Sequence, residues 1–129
     1  MSFTSYKELT VWQKSMDLTE EIYRLVKKLP KEETYALSDQ MRRAAVSVPS
    51  NIAEGHGRQT EKEFKSFLSI ARGSCYEIET QLLICVRQKY LSDPETKPVF
   101  DLLSEISRML TALILRLSSN SNEPSKTKN

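Results

Sequence analysis

The sequence predicts an all-α protein: an up-down four-helix bundle with short connections and a second helix kinked at Pro49. Three observations carry this. Apolar residues recur at three- and four-residue steps through four separate segments, which puts them on one face of a helix. Capping signals, glycines and prolines fall between those segments, where helices start and stop. No run alternates apolar and polar residues as a strand would, and no internal repeat is present. At 129 residues the chain is one domain, and 39% hydrophobic with 28% charged residues marks it as globular rather than disordered.

Residues 1–9 read as a lead-in and 10–117 as the bundle. Helix 1 starts near Thr10, which makes a capping box with Gln13; Ser5 with Glu8 is an earlier alternative. It runs to about Lys28, closed by Pro30. Leu9, Trp12, Met16, Thr19, Tyr23 and Val26 form one stripe. Val11, Ser15, Leu18, Ile22, Leu25 and Leu29 form a second, so the apolar face is wider than one neighbouring helix covers.

Helix 2 begins between Thr34 and Ser38 and runs to about Glu54, with Leu37, Met41, Ala44 or Ala45, Val48 and Ile52 facing the core. Pro49 lies inside it, deleting a backbone donor and crowding the carbonyl four residues earlier. A bend is expected there, the freed carbonyl being met by a serine, a water or a partner chain. Gly55 and Gly57 are expected to stop the helix in the left-handed conformation.

The short loop from Gly55 to Gln59 folds helix 3 back antiparallel, and Thr60 with Glu63 caps its start. Helix 3 runs from Glu61 to about Lys89, with Phe64, Leu68, Ala71, Cys75, Ile78, Leu82 and Cys85 inward. A turn centred near Gly57 places Ala44 and Ala45 opposite Gly73 and Ser74. A close helix crossing there would account for Gly73, since a glycine inside a helix costs on the order of 1 kcal/mol against alanine. Pro94 suits the first position of helix 4, capped by Asp93 or Ser92. Val99, Leu103, Ile106, Leu110, Leu113 and Leu117 line that helix, and the apolar-free stretch 118–129 is expected to be a disordered tail.

Charge and cysteine usage exclude several functions. A net charge of +2 is too mild to argue for nucleic-acid binding alone, so any basic site must come from clustering. Met1 to Ser5 lack the basic start and apolar block of a signal peptide, and no apolar run approaches the roughly 20 residues that span a bilayer. A soluble, cytoplasmic protein is expected, with no membrane partner. Cys75 and Cys85 lie about 15 Å apart on one helix, beyond disulfide reach. With a single histidine, no metal or cofactor site is predicted.

Three stretches carry a resemblance: Leu9-Thr10-Val11-Trp12-Gln13-Lys14; Arg42 through Gly55; and Ala71-Arg72-Gly73-Ser74 on to Glu77, Glu79 and Gln81-Leu82. They resemble the bacterial family of 23S rRNA intervening-sequence proteins, over nearly all of Leu9 to Leu117. The central stretch also holds Pro49, Asn51, Glu54 and Gly55, which with Gly73 form the structural motif. The resemblance implies a four-helix protomer and relatives that assemble as ring-shaped homopentamers. It also implies a link to the accessory proteins of diversity-generating retroelements, which engage nucleic acid and a reverse transcriptase. It brings no catalytic residues.

From the residues themselves, Arg42, Arg43, Arg58, Lys62, Lys65 and Arg72 are the candidate nucleic-acid contacts. Antiparallel pairing is expected to bring Arg42 and Arg43 near Arg72, leaving Arg58, Lys62 and Lys65 at one end. A ring would multiply this patch into a surface that releases counterions from a phosphate backbone. The competing reading is structural, with Glu54, Glu77 and Glu79 neutralising the arginines. The Gly55-His56-Gly57-Arg58 loop lacks P-loop spacing, and Glu61 and Glu63 repel phosphate, so its glycines read as helix stops. His56 has no nucleophile pattern around it and reads as an exposed loop histidine; no enzyme is predicted. Trp12, Tyr23, Phe67, Ile70 and Tyr76 exceed what one bundle's core needs and are expected to line an oligomer interface. The expected function is a non-enzymatic homo-oligomer, a pentamer by the resemblance, binding structured RNA. The alternative is a ring that recruits a protein partner.

Overall fold

The computed structural model describes residues 5–128, with side chains described through residue 119. Residues 1–4 of the lead-in and the side chains of 120–129 in the tail lie outside that description. Four helices follow one another: α1 (Thr10–Val26), α2 (Leu37–His56), α3 (Glu61–Arg87) and α4 (Asp93–Lys128). One 3-10 turn (Tyr6–Glu8) precedes α1 and another (Lys31–Glu33) precedes α2. Among the described residues there is no strand. Each helix packs on its two sequence neighbours, with α1 closing against α4, while the diagonals α1/α3 and α2/α4 stay apart. The result is a square bundle.

The two stripes of α1 have different fates. Val11, Ser15, Leu18, Ile22, Leu25 and Leu29 are buried. Of the other stripe only Val26 is buried, while Met16 and Tyr23 are exposed. A corner helix of a square bundle has two neighbours, so its second stripe runs along the outside edge. The inner line of α3 from Leu68 to Cys85 is buried as read, and so are Val99, Leu103, Ile106 and Leu110 on α4.

The ends of the helices depart from expectation in instructive ways. The Thr10–Gln13 capping box does not form. Thr10 is already helical, Leu9 caps without a side-chain bond, and Gln13 Nε2 donates instead to the Lys7 carbonyl at 2.9 Å. Ser5 caps the preceding 3-10 turn, accepting from the Lys7 amide at 3.1 Å, and that turn feeds directly into α1. The glycines do not stop α2 in the left-handed region. Gly57 has φ −83°, and no glycine has positive φ among the described residues. The α2 helix tightens at its end, with the Gly57 amide reaching both Ala53 and Glu54 carbonyls, and His56 is its last residue. The left-handed cap belongs to Lys89 (φ 63°), which ends α3 at Arg87, two residues early, with the Tyr90 amide donating to the Cys85 carbonyl at 2.9 Å.

Thr60 caps α3 as read, accepting from the Glu63 amide at 3.1 Å. At α4 the capping residue is Ser92, and Pro94 is second rather than first in the helix. Ser92 and Glu95 form a reciprocal box: the Ser92 amide donates to Glu95 Oε2 at 2.7 Å, and the Glu95 amide to Ser92 Oγ at 3.4 Å. Helical backbone continues past Leu117 to Lys128, where a disordered tail was expected. No glycine or proline interrupts 118–123, and over those residues a helix already nucleated by packing adds one hydrogen bond per residue fixed; this reason does not extend past Pro124.

Glu95 also binds Lys28 at 2.7 Å, tying the end of α1 to the start of α4. The Lys28 bond, with those from Ser92, holds its carboxyl down at about 2 against an ordinary 4.5. Its folded pKa is below its unfolded one, so its contribution is present above about pH 4.5 and is lost as pH falls through about 2. Glu95→Gln should therefore lower the urea midpoint at pH 7 and leave a smaller gap to wild type at pH 2.5. An equal gap at both pH values would refute this assignment.

The α2–α3 pair is the tightest contact and sets where surface residues stand. Its register runs through Met41 against Cys85 (3.7 Å between sulfurs), Ser47 against Ser74 (2.8 Å between hydroxyls) and Gly55 against Phe67. Ser47, not Ala44 or Ala45, therefore faces Ser74. The connection is centred near Thr60 rather than Gly57, because α2 runs on to His56, and each residue of delay slides the partners along. Asn51 adds Nδ2 bonds to the Ser47 carbonyl (2.8 Å) and hydroxyl (2.9 Å), which orients the serine pair.

Gly73 sits on the exposed face of α3, and a Cβ built there meets nothing within 4 Å. The close approach it was expected to allow occurs at Gly55, whose Cβ would lie 2.6 Å from Phe67 Cβ.

Candidate functional site

The six basic residues separate into three places. Arg42 and Arg43 share one carboxylate, Asp39, with Arg43 Nε at 3.1 Å and Arg42 Nη2 at 4.0 Å. Arg42 also donates to the Thr34 carbonyl at 3.4 Å. Arg72 turns away from both: its Nη1 donates to Thr111 Oγ1 on α4 at 3.1 Å. The expected Arg42–Arg43–Arg72 convergence does not occur, since the α2–α3 register sets Arg72 well along the axis from the other two. Arg58 forms the third place, bound to Glu54 at 2.8 Å with its guanidinium 4.8 Å over the Phe67 ring. Lys62 is exposed and Lys65 half-buried in the first two turns of α3. Neither lysine has an ion-pair partner among the described residues.

The acids differ from expectation accordingly. Glu54 neutralises Arg58, but Glu77 contacts Gln81 at 3.5 Å rather than an arginine. Asp39 is the carboxylate the sequence reading overlooked. Its three- and four-residue spacing to Arg42 and Arg43 was a readable signal, whereas Thr111 as the Arg72 partner depends on how α3 meets α4. None of the paired arginines is buried: the side chains of Arg42 and Arg43 are 31% and 79% exposed. Surface pairs of this kind contribute about 0–1 kcal/mol, so folding leaves these cations available.

The predicted interface residues also divide. Tyr23, Ile70 and Tyr76 are exposed, together with Met16, Val46, Leu83, Ile84 and Leu115. Trp12 is half-buried, edge-on to Tyr6 at 5.2 Å between ring centroids. Phe67 is used within the bundle, lying against Gly55 and beneath Arg58. His56 is the last helical residue of α2 rather than a loop histidine, and it stacks edge-on to Phe64 at 5.9 Å.

Cys75 and Cys85 are free and buried, as read. Burial pushes both thiols up to about 11, so neither is a thiolate at neutral pH. Among the described residues, no three His, Cys, Asp or Glu side chains gather as a metal-binding group. No helix there is long and apolar enough to cross a membrane.

Comparison with known proteins agrees with this architecture. The chain is similar to a protein of unknown function from the S23 ribosomal protein family of Bacteroides thetaiotaomicron VPI-5482, whose crystal structure superposes with a TM-score of 0.76 at 27% identity. The match covers 81% of this chain and 98% of that one. No curated protein matches the sequence. The family model described as 23S rRNA-intervening sequence protein matches residues 7–112, which takes in α1 to α3 and most of α4. The square four-helix bundle with its serine-paired α2–α3 contact thus belongs to a member of the 23S rRNA-intervening sequence protein family.

Proposed function

We propose that the chain is a non-enzymatic, self-associating bundle whose homo-oligomeric ring binds structured RNA at the α2–α3 end. The observation that carries this is the cation set Arg58, Lys62 and Lys65, in which both lysines lack a carboxylate partner among the described residues while Arg58 is held by Glu54 and Phe67. One copy is a weak site, since Glu61 and Glu63 share the first turn of α3. Symmetry around a ring repeats the lysines at fixed spacing, and each phosphate neutralised releases condensed counterions. Arg43, on the outer side of α2 and 79% exposed, adds charge farther along. The apolar side chains left exposed, Tyr23, Ile70 and Tyr76 among them, favour self-association. A cytoplasmic setting suits free thiols and an RNA partner.

Fluorescence anisotropy of a structured rRNA fragment across a salt range tests the reading. Binding should weaken steeply with salt. Changing Arg58, Lys62 and Lys65 together to Gln should reduce the log–log salt slope by roughly 2–3 for each protomer that engages the RNA. No binding at low salt would overturn the reading. The second reading is a ring that recruits a protein. It draws on Arg42, Arg43 and Arg72 each having a partner within the chain, at Asp39, Thr34 and Thr111, and pull-down with the triple variant as bait would address it.

A further inference from the structure

The groove between α3 and α4 is rich in hydrogen-bond donors and is lined by a single carboxylate, Glu79. Arg72 Nη1 donates to Thr111 Oγ1 at 3.1 Å, and Arg108 Nη1 donates to Ser104 Oγ at 2.6 Å. Both guanidinium groups thus rest on neutral hydroxyls of α4, and among the described residues neither has a carboxylate partner. Each keeps most of its N–H donors free. Ser104 and Thr111 lie about two turns apart on α4, so the two cations stand about 10 Å apart along it. Tyr76, 54% exposed, follows Arg72 by one turn of α3. Its ring lines, together with Arg108, both a hollow of about 200 Å³ that takes in Ser104 and one of about 360 Å³ that takes in Thr111. The shared residues make the two hollows one groove.

We propose that this groove holds a single strand of RNA, with phosphates on Arg72 and Arg108 and an unpaired base stacked on Tyr76. This rests on the RNA reading above and adds a second contact, away from the lysines, that distinguishes a strand from a duplex. A single-strand site needs a cationic groove that follows the backbone and an aromatic face that takes a base of any identity. Here the two cations are spaced along the groove and the ring stands beside Arg108, one turn from Arg72. The Ser104 and Thr111 hydroxyls orient the guanidinium groups and can themselves donate to phosphate oxygens. Such a donor-rich lining is complementary to a chain of anionic acceptors, where charge-assisted bonds are the strong ones. Glu79 repels phosphate at the Ser104 end, so the backbone leaves the groove there. Tyr76 is thereby assigned to RNA, while Tyr23, Ile70, Leu83 and Ile84 stay exposed for self-association.

Anisotropy of a short fluorescein-labelled oligouridylate and of a blunt, fully paired RNA duplex, each titrated with the full chain across a salt range, tests this. Arg72→Gln with Arg108→Gln should abolish oligouridylate binding or lower its log–log salt slope by about 1.4 for each protomer engaged, at about 0.7 per phosphate on a single strand. The duplex slope should not change. Tyr76→Ala should weaken oligouridylate binding about tenfold at fixed salt without altering the slope, and Tyr76→Phe, which keeps the ring, should bind like wild type. If the double variant loses its helical circular dichroism, Arg108→Gln alone, at an exposed position, carries the test with half the slope change. A wild type that binds the duplex but not the oligouridylate would overturn this site and leave the RNA reading standing. So would an unchanged slope in the arginine variant, or a Tyr76→Ala chain that binds like wild type. Variants with intact RNA binding but an altered mass by light scattering would give the groove to a protein contact instead. A wild type that binds neither RNA would remove both this site and the RNA reading.

Discussion

Gly55→Ala should destabilise the protein by about 1–3 kcal/mol, the usual range for overpacking a well-filled interior, with no change at the surface. The added Cβ would stand 2.6 Å from Phe67 Cβ, 3.0 Å from Phe64 Cδ1 and 3.3 Å from the Phe64 carbonyl oxygen. The nearest atom is tied directly to the α3 backbone, so no flexible side-chain end can swing aside. Relief requires α2 and α3 to separate at the end that also holds Arg58 over Phe67. Gly73→Ala is the internal control. It lies on the exposed face of α3 with nothing within 4 Å of the new carbon, so alanine should stabilise by up to about 1 kcal/mol through helix propensity alone. Urea unfolding of both variants at one protein concentration reads the contrast. Equal effects of the two substitutions would refute the packing assigned to Gly55.

Thr19→Val should cost about 1–2 kcal/mol, a buried acceptor losing its donor. The reason begins at Pro49. A proline inside a helix has no amide for the carbonyl four residues back, which is Ala45. The sequence leaves that carbonyl to a serine, a water or a partner chain; the structure gives it to Thr19 of α1, whose Oγ1 donates at 3.1 Å. The same hydroxyl lies 2.9 Å from the Ser15 carbonyl, so one proton serves two acceptors and the effect falls in the lower part of the range. Pro49→Ala restores an amide to Ala45. In that background Thr19→Val should lose much of its effect, a coupling of about 1 kcal/mol in a double-mutant cycle. Additive substitutions would break the link between Thr19 and the proline. Thr19 thus serves α1–α2 pairing more than the outward stripe on which its spacing places it.

The buried line Val11–Leu18–Ile22–Leu25 and the inner line of α3 were readable because burial on a helix follows a period that a sequence displays directly. Thr60 was readable because its cap lies within three residues. Asp39 is equally local, three and four residues from the arginines it binds. The separation of Arg42 and Arg43 from Arg72 was not readable, because a register error of a few residues at one loop moves every cross-helix neighbour along the axis. The close approach expected at Gly73 falls at Gly55 for the same reason.

By itself the sequence determined the number of helices, their core faces, most of their boundaries within a few residues, and a surplus of apolar surface. Each of these follows from contacts within about one or two turns of helix, where composition and spacing act directly on the backbone. Only the tertiary structure decided which glycine permits the close crossing, which hydroxyl answers the proline, which arginines stand together, and which side chains line the groove between α3 and α4. Those depend on distances between helices, and these are set by how the whole of one side-chain surface packs against another.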